Sequence, residues 1–316
     1  MTTTVRSLNR TSSPHTIEMA EFSVTSVLSV DHITLHDAPE RVTVGSCGFY
    51  TALALAKLGA QVLYAGAHGS DFGLEQLNPL RDAGAQVEGC LLPGKSARLD
   101  LVYGADGNVQ YARYDEGEGA SFRSRHLPMA FGDAPVLWLG TAPYDFQLEV
   151  ARQAEAGQQV YLSPQGELVG RSDDLLRLTP HVTTLFVNNG ELAGFGFGGE
   201  RESISALRAA NPHLTLVITR SAQGAWLITP EGVYSVPAVP DPLIVNTTGA
   251  GDTFNAAYAL QTLRGAAPEE ALQWATAAAA LSMRGYAYYA LPTAGEVDTY
   301  LDTIRSAIPV SVLPDF

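Results

Sequence analysis

Lysine is nearly absent from this chain. Among its 316 residues only Lys57 and Lys95 occur, and the formal net charge is -14. A surface that neutralises the phosphates of a nucleic acid, or that lies against an anionic membrane, needs clustered lysine and arginine. The sequence therefore predicts neither a nucleic-acid partner nor a membrane partner.

Cysteine and long apolar runs are also scarce. Cys47 and Cys90 are too few for a disulfide framework, they stand in no metal-ligand spacing, and the histidines are scattered. No stretch reaches the about eighteen uninterrupted apolar residues of a membrane-spanning helix, and the N-terminal segment lacks the apolar centre of a secretory signal. These absences predict a cytoplasmic protein.

The chain is long enough, and at 46% apolar residues rich enough, to bury one large core. Residues 1–20 are rich in serine and threonine without apolar periodicity, which predicts a disordered tail. Residues 21–316 are predicted to form a single domain.

Apolar runs alternate with helical patterns along this domain. Strands are predicted over residues 22–30, 61–65, 87–92, 159–162, 184–187 and 214–219, and helices over residues 50–59, 73–83, 146–156 and 202–210, followed by two long C-terminal helices. Such alternation predicts an α/β fold, with a mostly parallel central sheet and helices on both faces.

One stretch departs from this alternation. Residues 96–114 alternate apolar and polar side chains around a turn signal at residues 105–108, which predicts a β-hairpin. With the polar, extended segment that begins at Asp31, it predicts a small β-sheet lid from segments of about 31–45 and 95–116. An ordinary edge meander remains the alternative.

Two loops match phosphate-binding motifs in letters only. Residues 89–96 fit GxxxxGK[ST], but the hairpin follows them where a helix is required. Residues 194–199 fit GxGxxG, but they follow a helical turn rather than a strand, and no acidic residue is placed for a ribose. Neither is predicted to bind a nucleotide.

A third loop has the right context. The strand-like residues 243–245 lead into Asn246-Thr247-Thr248-Gly249-Ala250-Gly251-Asp252, and a helix over residues 253–264 follows. Small residues at a helix start leave backbone N–H groups open, and these groups with the helix dipole form an anion site suited to a phosphoryl group. A carboxylate beside that site is suited to accept the proton of an attacking hydroxyl. An N-cap role for Asp252 is the structural alternative.

This loop resembles the second signature of the ribokinase-like (PfkB) carbohydrate kinases, D-T-x-G-A-G-D-x-F, and the similarity extends from Phe22 onward. The early signature of that family, a Gly-Gly turn before a helix that ends in L-A-x-L-G, is similar to residues 45–48 and 55–59. The family's N-x-x-E is matched by Asn188 and Glu191, and its T-x-G-x-x-G by residues 219–224.

The resemblance implies a ribokinase-like fold, an ATP- and Mg²⁺-dependent kinase, and roles for particular residues. Asp252 would be the base and Gly249, Ala250 and Gly251 the anion hole. The resemblance implies that ATP is bound by Thr219, Ser221, Gly224, Thr247, Gly249 and Gly251. It implies that magnesium is held through water by Asn188 and Glu191. The implied acceptor residues are Asp31, Gly45, Ser46, Tyr50 and Asp252.

Departures from the family pattern fall on the acceptor and cation sides. Ser46 replaces the second glycine of the pair, and Tyr50 stands where sugar-binding members carry Asn. Asn246 replaces an Asp tied to activation by monovalent cations, which makes a K⁺ requirement doubtful. Ser221 replaces a glycine near the nucleotide, and residues 163–166 replace D-x-N.

The expected activity is transfer of the γ-phosphate of ATP to a hydroxyl of a sugar or related polyol. A nucleoside kinase of the same fold, with Tyr50 stacked on a base, is one alternative. A non-catalytic descendant that binds a nucleotide or metabolite is the other. A homodimer is a possible assembly.

Overall fold

The computed structural model describes residues 19–36, 38–105, 109–240 and 242–314. Most of the predicted tail, residues 1–18, and the tip of the predicted hairpin, residues 106–108, lie outside the described residues. The prediction of a disordered tail therefore stays a prediction.

Fourteen strands form within the described residues. They are β1 (Phe22–Val27), β2 (Ser29–Thr34), β3 (Arg41–Gly45), β4 (Val62–His68), β5 (Gln86–Leu91), β6 (Ala97–Tyr103), β7 (Val109–Asp115), β8 (Val136–Leu139), β9 (Gln159–Leu162), β10 (Thr184–Asn188), β11 (Thr215–Thr219), β12 (Ala225–Ile228), β13 (Val233–Val236) and β14 (Ser311–Leu313).

Nine α-helices form within the same residues. They are α1 (Cys47–Lys57), α2 (Asn78–Asp82), α3 (Tyr144–Gln153), α4 (Ser172–Leu178), α5 (Asn189–Gly194), α6 (Glu200–Ala210), α7 (Ala250–Leu263), α8 (Pro268–Ser282) and α9 (Ala294–Ile304).

Ten strands build the large sheet, in the order β14-β13-β12-β11-β10-β9-β8-β1-β4-β5. The seven strands from β11 to β5 are mutually parallel, and β12 to β14 continue the sheet in antiparallel pairs. Most neighbours along the sheet are therefore parallel, as the alternation of strands and helices predicts.

Alternate residues of each central strand point into two different cores. In β8, Val136 and Trp138 belong to the cluster that also contains residues of α1, α7, α8 and α9. Leu137 and Leu139 belong to a second cluster, which contains residues of α3, α4 and α6. Because neighbouring side chains of a strand point to opposite faces, both faces of the sheet are covered by helices. The predicted α/β class is confirmed.

The remaining four strands form a small sheet in the order β3-β2-β6-β7. β2 pairs with β3 and β6 pairs with β7 in antiparallel fashion, while β2 and β6 are parallel. Only Leu28 separates β1 of the large sheet from β2. The two segments that the sequence assigned to a lid thus meet in one sheet.

Two local predictions are wrong. Residues 243–245 form no strand, and Leu243, Ile244 and Val245 are 64%, 54% and 53% exposed. The amides of Val245 and Asn246 both donate to the carbonyl of Met283, so they pair with no strand. The predicted helix over residues 73–83 is a 3₁₀ turn, Leu74–Leu77, followed by the short α2. Pro79 lies in the first turn of α2 and has no N–H, so α-helical hydrogen bonds cannot continue from the preceding turn into α2.

Neither rejected loop has the strand and helix that a phosphate-binding loop requires beside it. Within residues 89–96, β5 ends at Leu91 and β6 begins at Ala97, with no helix between them. Helix α5 ends at Gly194, where the GxGxxG letters begin.

Among the described residues, no helix is long and apolar enough to cross a membrane.

Candidate active site

The site lies where the parallel strands end. Thr141 follows β8, Ser163 follows β9 and Asn188 ends β10, while the small sheet leaves β1 at the same edge. In open α/β sheets the carboxyl ends of the strands form the ligand-binding crevice. The fold thus gathers loops that are far apart in sequence.

Helix α7 begins at this edge. Its N-cap, Gly249, has φ 78° and ψ 2°, the left-handed conformation that glycine adopts without strain. A Cβ at Gly249 would lie 2.3 Å from Cδ1 of Tyr50, so two constraints require glycine there. The first N–H groups of a helix have no intrahelical acceptor, but the amide of Ala250 already donates to the carbonyl of Thr247 at 3.1 Å.

A cleft of about 650 Å³ opens between the small sheet and the start of α7 and is called the large cleft below. Five predicted acceptor or catalytic residues line it. They are Asp31, Ser46, Tyr50, Gly249 and Asp252. Leu99 and Leu101 of β6 form its wall on the side of the small sheet. The structure therefore brings together residues from β2, α1 and α7 that the sequence could only assign one by one.

A second cavity of about 200 Å³, called the small cavity, lies against the ends of β10 and β11. Asn188, Glu191, Thr219 and Gly251 line it, and Asn188 stands beside Thr219 in the sheet register. Asp252 lines both cavities. Four residues predicted for metal or nucleotide thus lie on one side of Asp252. Three residues predicted for the acceptor lie on the other side, together with Gly249, which was also predicted for ATP.

Asp252 is half-buried, and the rest of the residue is open to the two cavities that it lines. Burial raises the pKa of Asp252 to about 7, and the negative charge of Glu191 contributes in the same direction. A base works best when its pKa is close to the working pH. Asp252 therefore has both the position and the basicity to accept a hydroxyl proton.

Asp31 is the second carboxylate deep in the large cleft, and it is 3% exposed. Burial raises its pKa to about 6, while the hydroxyl of Ser29, which donates to Oδ1 at 2.6 Å, acts against the rise. A Cβ on Gly45 would lie 1.9 Å from Oδ2 of Asp31. Gly45 thus makes room for the Asp31 carboxylate without lining the cleft itself.

Asn188 and Glu191 hold each other in a capping box at the start of α5. The side chain of Asn188 accepts from the amide of Glu191 at 2.8 Å, and Glu191 Oε2 accepts from the amide of Asn188 at 2.9 Å. Among the described residues no group of three or more His, Cys, Asp or Glu could hold a metal ion directly. Oxygen donors that face a cavity but already have backbone partners fit Mg²⁺ bound through retained waters.

Besides Gly45, four predicted positions line neither cavity. They are Thr247, Ala250, Ser221 and Gly224. Gly224 has φ 90°, and a Cβ there would lie 1.9 Å from the carbonyl oxygen of Val236, so the turn between β11 and β12 requires glycine. Ser221 keeps a left-handed φ of 51° where the family has glycine.

Tyr50 is packed rather than open, with 2% of the residue exposed. Its ring meets the rings of Phe49 and Tyr288 edge-on, at centroid distances of 5.8 and 6.4 Å. The hydroxyl of Tyr50 is buried without a hydrogen-bond partner among the described residues. The ring is therefore closed in by packing, and the unpartnered hydroxyl is the part of Tyr50 that keeps hydrogen-bonding capacity for a ligand.

Several lining residues were not predicted as site residues. Gln165 lines both cavities with a left-handed φ of 48°, and it accepts from the hydroxyl of Thr141 at 3.0 Å. Asn255 lines the small cavity, and its buried Oδ1 has no partner among the described residues. The i,i+3 spacing from Asp252 on one helix could have indicated Asn255.

The outer end of the large cleft was also not predicted. Tyr114 and Glu116 at the end of the hairpin face Glu167 and Arg171 of the loop after β9. No local motif marks these four residues, because only the fold brings the two segments together.

Asn246 anchors the loop before α7. Its Oδ1 accepts from the amides of Thr248 and Ala287, both at 3.2 Å, while its buried Nδ2 has no partner among the described residues. An amide N–H₂ group is a donor and cannot coordinate a cation. These contacts do not fit a K⁺ site built on the Asn246 side chain.

Comparison with known proteins places the chain among kinases of small molecules. A sequence profile described as pfkB family carbohydrate kinase matches residues 36–293. The cytidine kinase of Thermococcus kodakarensis is 28% identical over 268 residues, which are 81% of this chain and 93% of that protein. The ribokinase of Bacillus subtilis is 29% identical over 266 residues, covering 81% of this chain and 87% of that protein.

The fold is shared with solved structures. Arabidopsis thaliana ribokinase complexed with ribose and ATP matches with a TM-score of 0.75 at 20% identity, over 89% of this chain and 98% of that one. The chain therefore belongs to the pfkB family of carbohydrate kinases, ATP-dependent phosphotransferases with an alcohol group as acceptor, and it is a small-molecule kinase.

Proposed function

We propose that this kinase transfers the γ-phosphate of ATP to a hydroxyl of a sugar or related polyol held in the large cleft. The observation that carries this proposal is the position of Asp252, a residue that lines both the large cleft and the small cavity. An acceptor hydroxyl on one side and a triphosphate on the other would both be within reach of it.

The reaction follows from this placement. Asp252 accepts the hydroxyl proton while the acceptor oxygen forms a bond to the γ-phosphorus, and the bond from that phosphorus to the β,γ-bridging oxygen breaks to release ADP. Gly251, at the start of α7 and facing the small cavity, donates its amide to the transferring group. Asp31 and the hydroxyl of Tyr50 bind other acceptor hydroxyls.

Magnesium would be held in the small cavity by Asn188 and Glu191 through water. When bound, Mg²⁺ neutralises charge on the phosphates. Thr219 lies beside Asn188 at the end of β11 and is proposed to contact the nucleotide. K⁺ has no place in this proposal, because the Asn246 contacts do not fit it.

A nucleoside acceptor is the second candidate, and Tyr114 is the observation that favours it. Tyr50 is not suited to stack on a base, since only 2% of the residue is exposed. Tyr114 instead lines the outer end of the large cleft and is 46% exposed, so its ring is open to a planar base.

The small sheet is proposed to act as a lid over the large cleft within a single domain. Leu99 and Leu101 of β6 already line the cleft, and Tyr103 reaches the loop before α7. Lids of this kind exclude water from phosphoryl transfer. The expected cytoplasmic location and a possible homodimer stay predictions.

The proposal is tested by incubating the purified protein with ATP, Mg²⁺ and separate pools of sugars, polyols and nucleosides, and measuring ADP. We expect ADP to form with one pool and not in the control without acceptor. A nucleoside-only response would favour the second candidate. Nucleotide binding without ADP formation in any pool would contradict the proposal and favour a non-catalytic descendant.

A further inference from the structure

The ionisable side chains of the large cleft are mostly of one sign. Among the described residues, four carboxylates line it, from Asp31, Glu116, Glu167 and Asp252, against one guanidinium, that of Arg171. With all five groups ionised, the cleft carries three more negative than positive charges. Asp31 and Asp252 lie at the inner end beside the start of α7, and Glu116 and Glu167 lie at the outer end.

The guanidinium of Arg171 already has partners within the protein. Nη1 of Arg171 lies 2.9 Å from Oε1 of Glu167, and its Nη2 lies 2.8 Å from Oδ2 of Asp174. The guanidinium also lies 5.3 Å from the ring centroid of Tyr144. Two carboxylates and an aromatic face thus compensate its charge, and little of that charge is available to an anionic ligand.

The charge of Glu116 acts on the carboxyl group of Glu167. Burial raises the pKa of Glu167, the charge of Arg171 opposes this rise, and the charge of Glu116 adds to it. Carboxylates that converge on one space repel an anion, but they accept hydrogen bonds from hydroxyl or amino groups. The outer end of the large cleft therefore suits the part of a ligand that carries hydrogen-bond donors.

We infer that the acceptor is an uncharged polyhydroxylated molecule whose far end donates hydrogen bonds to Glu116 and Glu167, and that the cleft rejects acceptors that already carry a phosphate. This inference rests on the proposed function and narrows its substrate class. It applies equally to polyols and to nucleosides, because both are neutral. Repulsion between the cleft carboxylates and the phosphate of a phosphorylated acceptor would lower the affinity for that acceptor.

Paired acceptors test the inference directly. The kcat/KM for ADP formation is measured for ribose, fructose, inositol and cytidine, each beside its own monophosphate. We expect every monophosphate to be at least about 100-fold poorer than the best neutral acceptor, with the ratio shrinking as salt screens the repulsion. A monophosphate used as well as the best neutral compound would overturn the inference while leaving the kinase proposal intact. ADP formation with none of the eight would overturn both.

Glu167→Gln tests which charges are responsible. It removes one outer carboxylate and weakens the hold on Arg171, so we expect the discrimination against monophosphates to fall by about 10-fold. Glu149→Gln, at an exposed position of α3, is the control, since it changes the net charge equally without touching the cleft. Thermal unfolding of both variants checks that they are folded. An unchanged ratio in folded Glu167→Gln would overturn the assignment to the outer carboxylates.

Discussion

At the scale of single residues, two glycines at the start of α7 differ in what a side chain would meet. Gly249 has a left-handed φ and faces the ring of Tyr50, whereas nothing lies within 4 Å of a Cβ built on Gly251. The first glycine is therefore needed by the fold. The second is free to serve the ligand, because it faces the small cavity.

Gly249→Ala and Gly251→Val should separate these roles. We expect Gly249→Ala to lower the free energy of unfolding by roughly 1–3 kcal/mol, because it combines backbone strain with the contact to Tyr50. Gly251→Val should change stability by less than about 0.5 kcal/mol, yet weaken nucleotide binding by obstructing the backbone amide. Thermal unfolding and nucleotide titration measure the two effects. A stable Gly249→Ala protein would contradict the packing described here.

Asp31 gives a prediction on pH and stability. Its folded-state pKa of about 6 lies above the ordinary value of 3.8. The stability that its protonated form contributes is therefore complete below pH 3.8 and is lost as pH rises through 6. An asparagine side chain carries no charge at either pH, so Asp31→Asn does not suffer this loss. The free energy of unfolding of the variant minus that of wild type should therefore be about 1–2 kcal/mol larger at pH 8 than at pH 5.

Chemical denaturation at the two pH values measures this difference. Asp145→Asn is the matched control, because Asp145 is exposed on α3. As an acceptor ligand, Asp31 should also be needed for activity, so the stabilised variant should have a raised KM for the acceptor. A gain that is the same at both pH values would show that burial does not penalise the charged form of Asp31.

At the scale of secondary-structure elements, one hydrogen bond joins the small sheet to the loop before α7. The hydroxyls of Tyr103, at the end of β6, and Thr248 lie 3.0 Å apart. Tyr103 is buried and Thr248 is half-buried, so this bond is partly shielded from water. It holds the small sheet against the loop that carries Gly249.

Tyr103→Phe and Thr248→Val should each lower kcat by about 3- to 10-fold, the usual worth of one hydrogen bond. The double variant should be no worse than either single variant, because both remove the same interaction. Steady-state kinetics measures the cycle, and Tyr111→Phe, at an exposed position of β7, serves as the control. Additive losses would show that the two hydroxyls act independently.

The same elements show what the sequence could and could not predict. The start of α7 and the small sheet follow from local signals, glycines before a helix and a period of two, and both are found. Residues 243–245 have the apolar, β-branched letters of a strand, but the amide of Val245 donates, like that of Asn246, to the carbonyl of Met283, which belongs to no strand. Arg171 and Glu116 were not predicted as site residues, because their meeting depends on how β7 and the loop after β9 come together.

At the scale of the whole molecule, the small sheet shares its packing with the two cores of the large sheet. Val44 of β3 belongs to the first cluster and Ala97 of β6 to the second. A lid with its own core would unfold separately, whereas one that shares the main cores should not.

Calorimetry should therefore give a single cooperative transition for the full chain. Nucleotide with Mg²⁺ should raise its midpoint, since a ligand at 100 times its Kd stabilises a protein by about 2.7 kcal/mol. Two resolved transitions would contradict the prediction that residues 21–316 form one domain.

The most direct test of the whole interpretation compares Asp252→Asn with wild type in two assays at pH 8. We expect kcat to fall by roughly 10²- to 10⁴-fold, because the hydroxyl loses its base. The unfolding temperature should stay equal or rise, because the variant no longer buries a carboxylate whose pKa is raised to about 7. Near wild-type turnover would show that Asp252 is not the base. Lost activity with a marked fall in stability would show that Asp252 is a structural residue.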